Sequence, residues 1–503
     1  MIVPLEEAVA GTCGGKAGSL GALLRAGLPV PGGFVIPFAT YLAAVGEPDP
    51  GRLEEPGAAR QAIKNHPLPA ASPAALPAAL PAALPAALPA ALPAALPAAL
   101  PAALPAALPA ALPKALSAAL PEALPKALPK ALPEALPEAL SEALEGALGE
   151  LGDAPVAVRS SASDEDTGQA SAAGRYESFL AVHGPARVAD AVRACWASLF
   201  SPRAIHHRRS GEPRMAVIVQ RHLDAEVSGV MFTPGGAEGT TEIEASWGLG
   251  PSVVGGTVTP DAYRVAADGS VTRTVAEKRT RLDRRGERLV TSEVPAHART
   301  APVIDDVTAR HLAALGAEIA AVLGAPQDIE WAIADGHTWI LQARPITAAP
   351  PPGPARTAAT PPPPPSSRPR TPDTPTSSGL PRTPDTPPSS RLPCIPDTLT
   401  GTPGSHGTAT GTARIVRGPR DFPRVRPGDI LICPFTDPAW TPLLRIAAGV
   451  ITETGGVLSH AAIVAREHAI PAVLGIPDAT TRLHDDTLVT IDGTTGTVTT
   501  TSV

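Results

Sequence analysis

Apolar and polar positions follow two different periods along this chain, and the changes of period mark its elements. GGKAGSLGALLRAGL (14–28) sets Leu20, Leu23 and Leu24 on one helical face, and PGGFVIP (31–37) then reads as a short strand between proline breakers. Between residues 153 and 349 the segments VAVRSS, MAVIVQRHL, VSGVMFT, TEIEASWGLG and the pair DIEWAI/TWILQAR predict strands, with helices over Ala186 to Phe200 and Thr308 to Leu323. This succession predicts an α+β unit built on antiparallel hairpins. Beyond residue 400, the short strands ARIVRG, DILICPF, GVITET, AVLG, LVTIDG and GTVTT alternate with helices near Leu443 and His460. That pattern predicts a second, smaller α/β unit.

Two tracts interrupt the pattern. From Pro73 to Leu148 the chain is a tetrad repeat, PAAL ten times and then variants such as PKAL, PEAL and SEAL. Each interior proline removes a helical hydrogen bond at a cost of ~3 kcal/mol, so the repeat predicts a poor ordinary helix. It reads as expansion of a former helical segment, either an extended tether or a rod with leucines along one side. Residues 350–400 are rich in Pro, Ser and Thr with a repeated RTPDTP, too poor in apolar surface to pack, and predict an extended linker. The expected organisation is therefore a multidomain α+β and α/β chain. Residues 1–349 carry the larger unit with the repeat at 73–148, 350–400 the linker, and 401–503 the smaller unit.

Charge and cysteine content narrow the function classes. The chain has 48 acidic and 41 basic residues, a net charge of −7, and shows no basic stripe, so no nucleic-acid partner is expected. Its four cysteines form no CxxC pair, which argues against a disulfide framework or zinc ribbon and fits a reducing compartment. The opening MIVPLEEAVAGTCGGK lacks a basic and apolar leader pattern, and the Ala/Leu tract has proline at almost every fourth residue, unlike a spanning helix. The expectation is a cytoplasmic protein without a membrane partner.

Candidate chemistry gathers at four places. In TETGGVLSHAAIVAREHAIPAVLG (452–475) Ser459 reads as an N-cap and His460 as the first helical residue, where free N–H groups and the positive helix end favour an anion. A histidine there can cap, pack, or carry a phosphoryl group; no HxxxH or HExxH partner supports a metal site. In QDIEWAIADGHTWILQARPIT (327–347), Asp335-Gly336 marks a hairpin. With His337 in a three-residue loop, Glu330 faces Gln342 and Asp328 faces Arg344. Ile329, Trp331, Leu341 and Ala343 then lie on the opposite face. Such a face suits either a Mg-nucleotide or a solvated set of salt bridges. Lys16 stands beside two glycines at a helix start, without the spacing of a Walker A loop. Arg159 follows a buried-type strand, able to reach phosphates or to pair with Asp164, Glu165 or Asp166.

Taken in order, GGKAGSLGALLRAGLPVPGGFVI, VAVRSSASDED, SPRAI with MAVIVQRHLDAEVSGVMFT, SWGLGPSVVGGTVTPDAY, DIEWAI, LQARPIT and TETGGVLSHAAIVAREHAIPAVLG resemble a known family. They are similar to the ATP-binding and phosphohistidine domains shared by phosphoenolpyruvate synthase, pyruvate phosphate dikinase and rifamycin phosphotransferase. The resemblance implies an ATP-grasp-like nucleotide domain and a swivelling histidine domain. ATP would be split to AMP, phosphate and a phosphorylated histidine, which then phosphorylates an acceptor. It implies ATP and Mg²⁺ as cofactors, with Lys16, Arg159 and Arg344 on phosphates, Glu330 and Gln342 on Mg²⁺, and His460 as phosphocarrier. Asp328 matches the motif, and Gln220 would lie at the hinge near adenine. The chain departs from the pattern in having no visible acceptor domain and in placing Pro251 where the family usually has an acidic residue. The expected acceptor is a small molecule or a site on a separate protein, and the alternative is a regulatory nucleotide-binding relic without turnover.

Overall fold

The computed structural model describes residues 2–45, 136–165, 176–199, 214–236, 239–346 and 398–501, with Ser201 and Ala204 between them. The linker tract up to residue 397 and the repeat up to residue 135 lie outside the described residues, as do Asp166 and most of SPRAI.

The first sheet comprises β1 (Val3–Pro4), β2 (Gly33–Ile36), β3 (Val156–Ala162), β4 (Ser178–Val182) and β5 (Met215–Arg221), in the antiparallel order β1-β2-β5-β3-β4. Its helices are α1 (Ala10–Arg25), α2 (Phe38–Val45), α3 (Glu138–Glu150) and α4 (Pro185–Ser198). Strand alternation splits its side chains between two cores. Val156, Val158, Val217 and Val219 meet α3 and α4 around Trp196, whereas Ala216 and Ile218 face α1. Arg159 and Ser161 alternate with the valines and share the α1 side. There α1 is broken at Gly14 (φ 81°, ψ 165°), where a Cβ would lie 2.4 Å from Ser161 Oγ. Ala17 N donates to the same oxygen at 3.2 Å. Lys16 is thus pinned over β3 by a kink that only glycine permits there.

α3 corrects the expectation that the tract to Leu148 packs poorly. Past Pro137, which occupies the N-cap, the sequence EALSEALEGALGE contains no proline, and leucines four apart fall on one face. Leu136, Leu140, Leu144 and Leu148 are all buried in the core around Trp196. The last turns of the repeat are therefore ordinary domain structure.

The second sheet is built from β6 (Val227–Phe232), β7 (Thr241–Trp247), β8 (Asp261–Val265), β9 (Val271–Thr274), β12 (Gln327–Ala334) and β13 (His337–Pro345), in the order β13-β12-β6-β7-β8-β9. A two-stranded ribbon, β10 (Thr280–Arg285) with β11 (Arg288–Glu293), branches from it. Helix α5 (Asp306–Leu323), capped by Asp305 on Thr308 N at 2.8 Å and ended by left-handed Gly324, covers one face with Leu312, Leu315 and Ile319. Pro251 takes a first-turn position in a single helical turn, Pro251–Val254, where its missing N–H costs no bond.

The β12–β13 hairpin has the register expected at its functional end and a different route to it. Glu330 pairs with Gln342 and Asp328 with Arg344, but the turn has two residues, Asp335 (φ 51°) and Gly336 (φ 72°), and His337 pairs with Ala334. The odd residue is absorbed instead by a bulge after Glu330, where Leu341 is skipped. Leu341 consequently leaves the expected face with Ile329, Trp331 and Ala343 and packs beside Ala332 and Leu249.

The third sheet has eight strands: β14 (Thr398–Thr400), β15 (Thr402–Ser405), β16 (Thr408–Ile415), β17 (Ile430–Cys433), β18 (Gly449–Thr452), β19 (Ala472–Leu474), β20 (Leu488–Asp492) and β21 (Thr497–Thr501). Their order is β14-β21-β20-β16-β17-β18-β19-β15. β16 to β19 run parallel and the flanks antiparallel, with a separate core on each face. Helices α6 (Thr441–Leu444) and α7 (His460–Glu467) lie on one of them. Its first strand begins three residues before the linker was expected to end.

Leu144→Ala removes a fully buried side chain from α3, so unfolding of the first domain in urea should lose about 2–5 kcal/mol. A loss under ~0.5 kcal/mol would show that the tail of the repeat does not belong to that core.

Candidate functional site

Sheet register assembles the site. Gln342, Glu330, Val230 and Glu244 are successive partners across β13, β12, β6 and β7, and Arg344, Asp328, Phe232 and Glu242 form the next row. Residues two apart on a strand share a face, so both rows lie on the side away from the Ile329–Trp331 core. One sheet face thus carries five charged groups, an amide and an apolar centre.

Arg159 reaches this face from the first sheet. Its Nη2 donates to Gln342 Oε1 at 2.7 Å and Glu330 Oε2 at 3.1 Å, and Nη1 donates to the bulge carbonyl of Leu341 at 2.7 Å. Of the expected partners, Glu165 pairs with Lys16 at 2.5 Å and Asp164 accepts from Tyr176 at 2.6 Å. Ala162 N also donates to Glu165, at 3.2 Å. Arg344 Nη2 and Nε contact Asp328 Oδ2 at 2.7 and 2.9 Å. Three cations therefore line the cleft, each already facing a carboxylate of the chain. Gln220 is buried on β5, opposite Gly33, and its amide donates to Pro31 O at 2.9 Å.

His460 comes to the same place from the last domain. It opens α7 behind the glycine pair, 6 % exposed, with Nδ1 2.8 Å from Thr436 Oγ1 and Nε2 3.5 Å from Thr441 Oγ1. Ser459 occupies the N-cap position but donates to Gly456 O at 2.8 Å rather than capping through its side chain. Burial, and then the positive charge of Arg344, pull the imidazole down to about 4, so it is neutral near pH 7.

The two domains meet through both apolar and polar contacts. Leu458 and Ile463 pack on Val230, Phe232, Val253 and Val258. Thr454 Oγ1 donates to Gly256 O at 2.6 Å and Gly455 N to Val258 O at 3.1 Å. Glu244, buried on β7, accepts from Val457 N at 2.6 Å and Leu458 N at 3.1 Å. Burial pushes its carboxyl up to about 7 against the two N–H bonds. On the other side of that loop, Arg466 donates to Val457 O at 2.7 Å and Gly404 O at 2.9 Å. Burial draws its guanidinium down to about 10.

The structure brings Arg159, Glu330 and Gln342 into direct contact and sets Asp328, Arg344 and His460 beside them. Lys16 lies across the β3 end, held by Glu165, and Gln220 is a separate buried contact. Sequence reasoning passed over Glu244, Thr436, Thr441 and Arg466, and named Glu165 only as a partner for Arg159, whereas it pairs with Lys16. For Glu244 a signal was present: TEIE alternates so that Glu242 and Glu244 share a face, and only the pairing of β7 with β6 identifies which face.

Comparison with known proteins agrees with this two-part arrangement. Residues 10–360 match the family described as pyruvate phosphate dikinase, AMP/ATP-binding domain, and residues 425–496 match PEP-utilising enzyme, mobile domain. A probable phosphoenolpyruvate synthase of Methanothermobacter thermautotrophicus is 39% identical over 69% of this chain and 47% of its own length. One of Archaeoglobus fulgidus is 36% identical over 68% of the chain and 43% of its own. The phosphoenolpyruvate synthase of Escherichia coli is 34% identical over 67% of the chain and 42% of its own. The chain thus spans less than half the length of these relatives. With its first domain matched from residue 10 onward and its last domain matched around His460, the chain belongs to the pyruvate phosphate dikinase AMP/ATP-binding domain family, joined here to a PEP-utilising mobile domain.

Proposed function

We propose that this chain is an ATP-dependent phosphotransferase in which His460 carries the phosphoryl group. The observation that carries the reading is the juxtaposition of a buried, neutral imidazole with the Arg344, Glu330 and Gln342 face of the nucleotide domain. ATP, water and His460 give AMP, phosphate and phosphohistidine. A ring-nitrogen lone pair forms the N–P bond at the β-phosphorus as the bond to the leaving AMP oxygen breaks, and water removes the γ-phosphate. Thr436 is the nearer hydroxyl partner, on Nδ1, which leaves Nε2 the less engaged nitrogen for attack.

The donor set fits Mg²⁺. Glu330 and Gln342 present hard oxygens that converge on one guanidinium nitrogen, a place where a cation is already accepted. Held there, Mg²⁺ would offset charge on the phosphates. Among the described residues no group of three or more His, Cys, Asp or Glu side chains is placed to hold a metal. Phosphate and water would therefore complete its shell. The cations of the chain do the rest. Lys16, Arg159 and Arg344 are placed to take phosphate oxygens when they exchange their carboxylate partners, and excluding water by domain contact strengthens each such bond. The acceptor is a small molecule or a site on a separate protein.

Incubation with Mg-ATP labelled at the β-phosphate should place acid-labile label on the wild-type chain and none on His460→Ala, with AMP released. Nucleotide binding without AMP or label would sink the enzyme reading in favour of a regulatory relic.

A second outcome follows from the depressed imidazole. Above pH 6.5 His460 is neutral in both the folded and the unfolded chain; below it the unfolded ring binds a proton first. Stability tied to this residue is then lost as pH falls from about 6.5 to about 4, by roughly 3 kcal/mol. Thermal unfolding across that range should therefore fall more steeply for wild type than for His460→Gln. A side-chain NMR titration should place the His460 midpoint near 4, and a midpoint near 6.5 would contradict the buried setting.

A further inference from the structure

We propose that Glu244 is the positioning residue by which the nucleotide domain grips the loop in front of His460 and sets the carrier over the Glu330–Gln342 face. This rests on the reading of His460 as the phosphocarrier.

Register puts Glu244 in the same row as Gln342, Glu330 and Val230, with one strand between it and Glu330, a separation of roughly 10 Å. Its two carboxylate oxygens accept the backbone N–H groups of Val457 and Leu458. These lie three and two residues before His460. Neither donor belongs to the domain that contains Glu244, so the two bonds hold domain to domain and contribute nothing to the pairing of β7.

The glycine pair becomes explicable on the same grounds. A Cβ on Gly456 would lie 2.2 Å from Glu244 Oε1, and a Cβ on Gly256 would lie 3.2 Å from Ser459 Cβ. The backbone must come this close for the carboxylate to reach its two N–H groups, and any side chain at position 456 would occupy the place of that carboxylate. Gly455, at φ 105°, makes the turn that leads in.

The gripped peptide is rigid on its far side. Arg466, one of the last residues of α7, donates to Val457 O, so the N–H and the carbonyl of this segment are fixed from opposite domains. Opposite charges of Arg466 and Glu244 act on each other across it. Leu458 and Ile463 in the Val230–Phe232 patch keep water from the pair. Displacement of the Val457–Leu458 segment therefore moves the start of α7, and His460 is its first residue. Glu244 touches neither the nucleotide groups nor the imidazole; it acts through the loop.

Glu244→Gln tests this in the full chain. The amide keeps the shape but replaces one acceptor oxygen with an N–H₂ group facing an N–H donor. Amide exchange at Val457 and Leu458 should accelerate at least ~10-fold. Phosphohistidine formation from Mg-ATP should slow by at least ~10-fold, while affinity for Mg²⁺ with a non-hydrolysable ATP analogue stays within about two-fold. Gly456→Ala should reproduce that signature alone and add little in a Glu244→Ala background, because the clash is with the carboxylate. Unchanged exchange at Val457 and Leu458, or a weakened nucleotide affinity that accounts for the slower labelling, overturns the proposal. Accelerated exchange in a chain whose wild type never labels leaves the grip standing and removes the carrier reading instead.

Discussion

The guanidinium of Arg159 is the joint on which the nucleotide domain depends. β3 is apolar on one side, where Val156 and Val158 enter the core around Trp196. Its other side must place a charge in a cleft between two sheets, where an unmatched cation is expensive. The second sheet meets it with a carboxylate, an amide oxygen and a bulge carbonyl. The bulge after Glu330 is part of this match, since it turns the Leu341 carbonyl toward Nη1. Lys16 with Glu165 repeats the solution one strand end away. A polar cleft is thereby held open between two apolar cores, with its charges balanced inside the chain.

On the function proposed above, that balance suits a ligand that carries both signs. An anion alone would take the cations and strand the carboxylates; a cation alone would do the reverse. A nucleotide with its magnesium would bring both signs together, offering phosphate oxygens to Lys16, Arg159 and Arg344 and a metal to Glu330 and Gln342. Each ion pair broken would then be replaced by another, and the low-dielectric cleft would penalise neither member.

Much of this was legible in the sequence because strand alternation is a strict period. The facing of Glu330 with Gln342 and of Asp328 with Arg344 follows from counting, although counting put the odd residue in the turn rather than in a bulge. Bulges are not visible to a two-residue period; the type of turn at Asp335-Gly336 was the better guide. His460 at the head of its helix was legible from Ser459 and the glycines. The partners of Lys16 and Arg159 were not, because Glu165 and Glu330 were equally available by charge and only packing of α1 on Ser161 separates them. The repeat was misjudged past Pro137 because composition blurred a boundary that the loss of proline alone sets. The contact of Glu244 was hidden for a different reason: strand alternation marks its face, but its partners are backbone N–H groups, which leave no letter in the sequence except the glycine that makes room.

That last point bears on how the two domains recognise each other. A contact made through side chains on both partners can be replaced pairwise, but one made by a carboxylate on backbone N–H groups fixes the path of the chain itself. Here the path is the approach to the helix that begins at His460, so the contact that joins the domains also fixes where that residue stands. Burial acts on both ionisable groups of the contact in the same sense, drawing Glu244 up to about 7 and His460 down to about 4, each toward its neutral form. The docked interface is therefore poor in charge where the imidazole waits and rich in charge only in the adjoining cleft. On the function proposed above, a phosphoryl group arriving on His460 would turn a neutral ring beside Arg344 into an anionic one, which that guanidinium favours. The electrostatic change would then fall on that one contact, while the bonds from Val457 and Leu458 to Glu244 hold the approach to the helix in place.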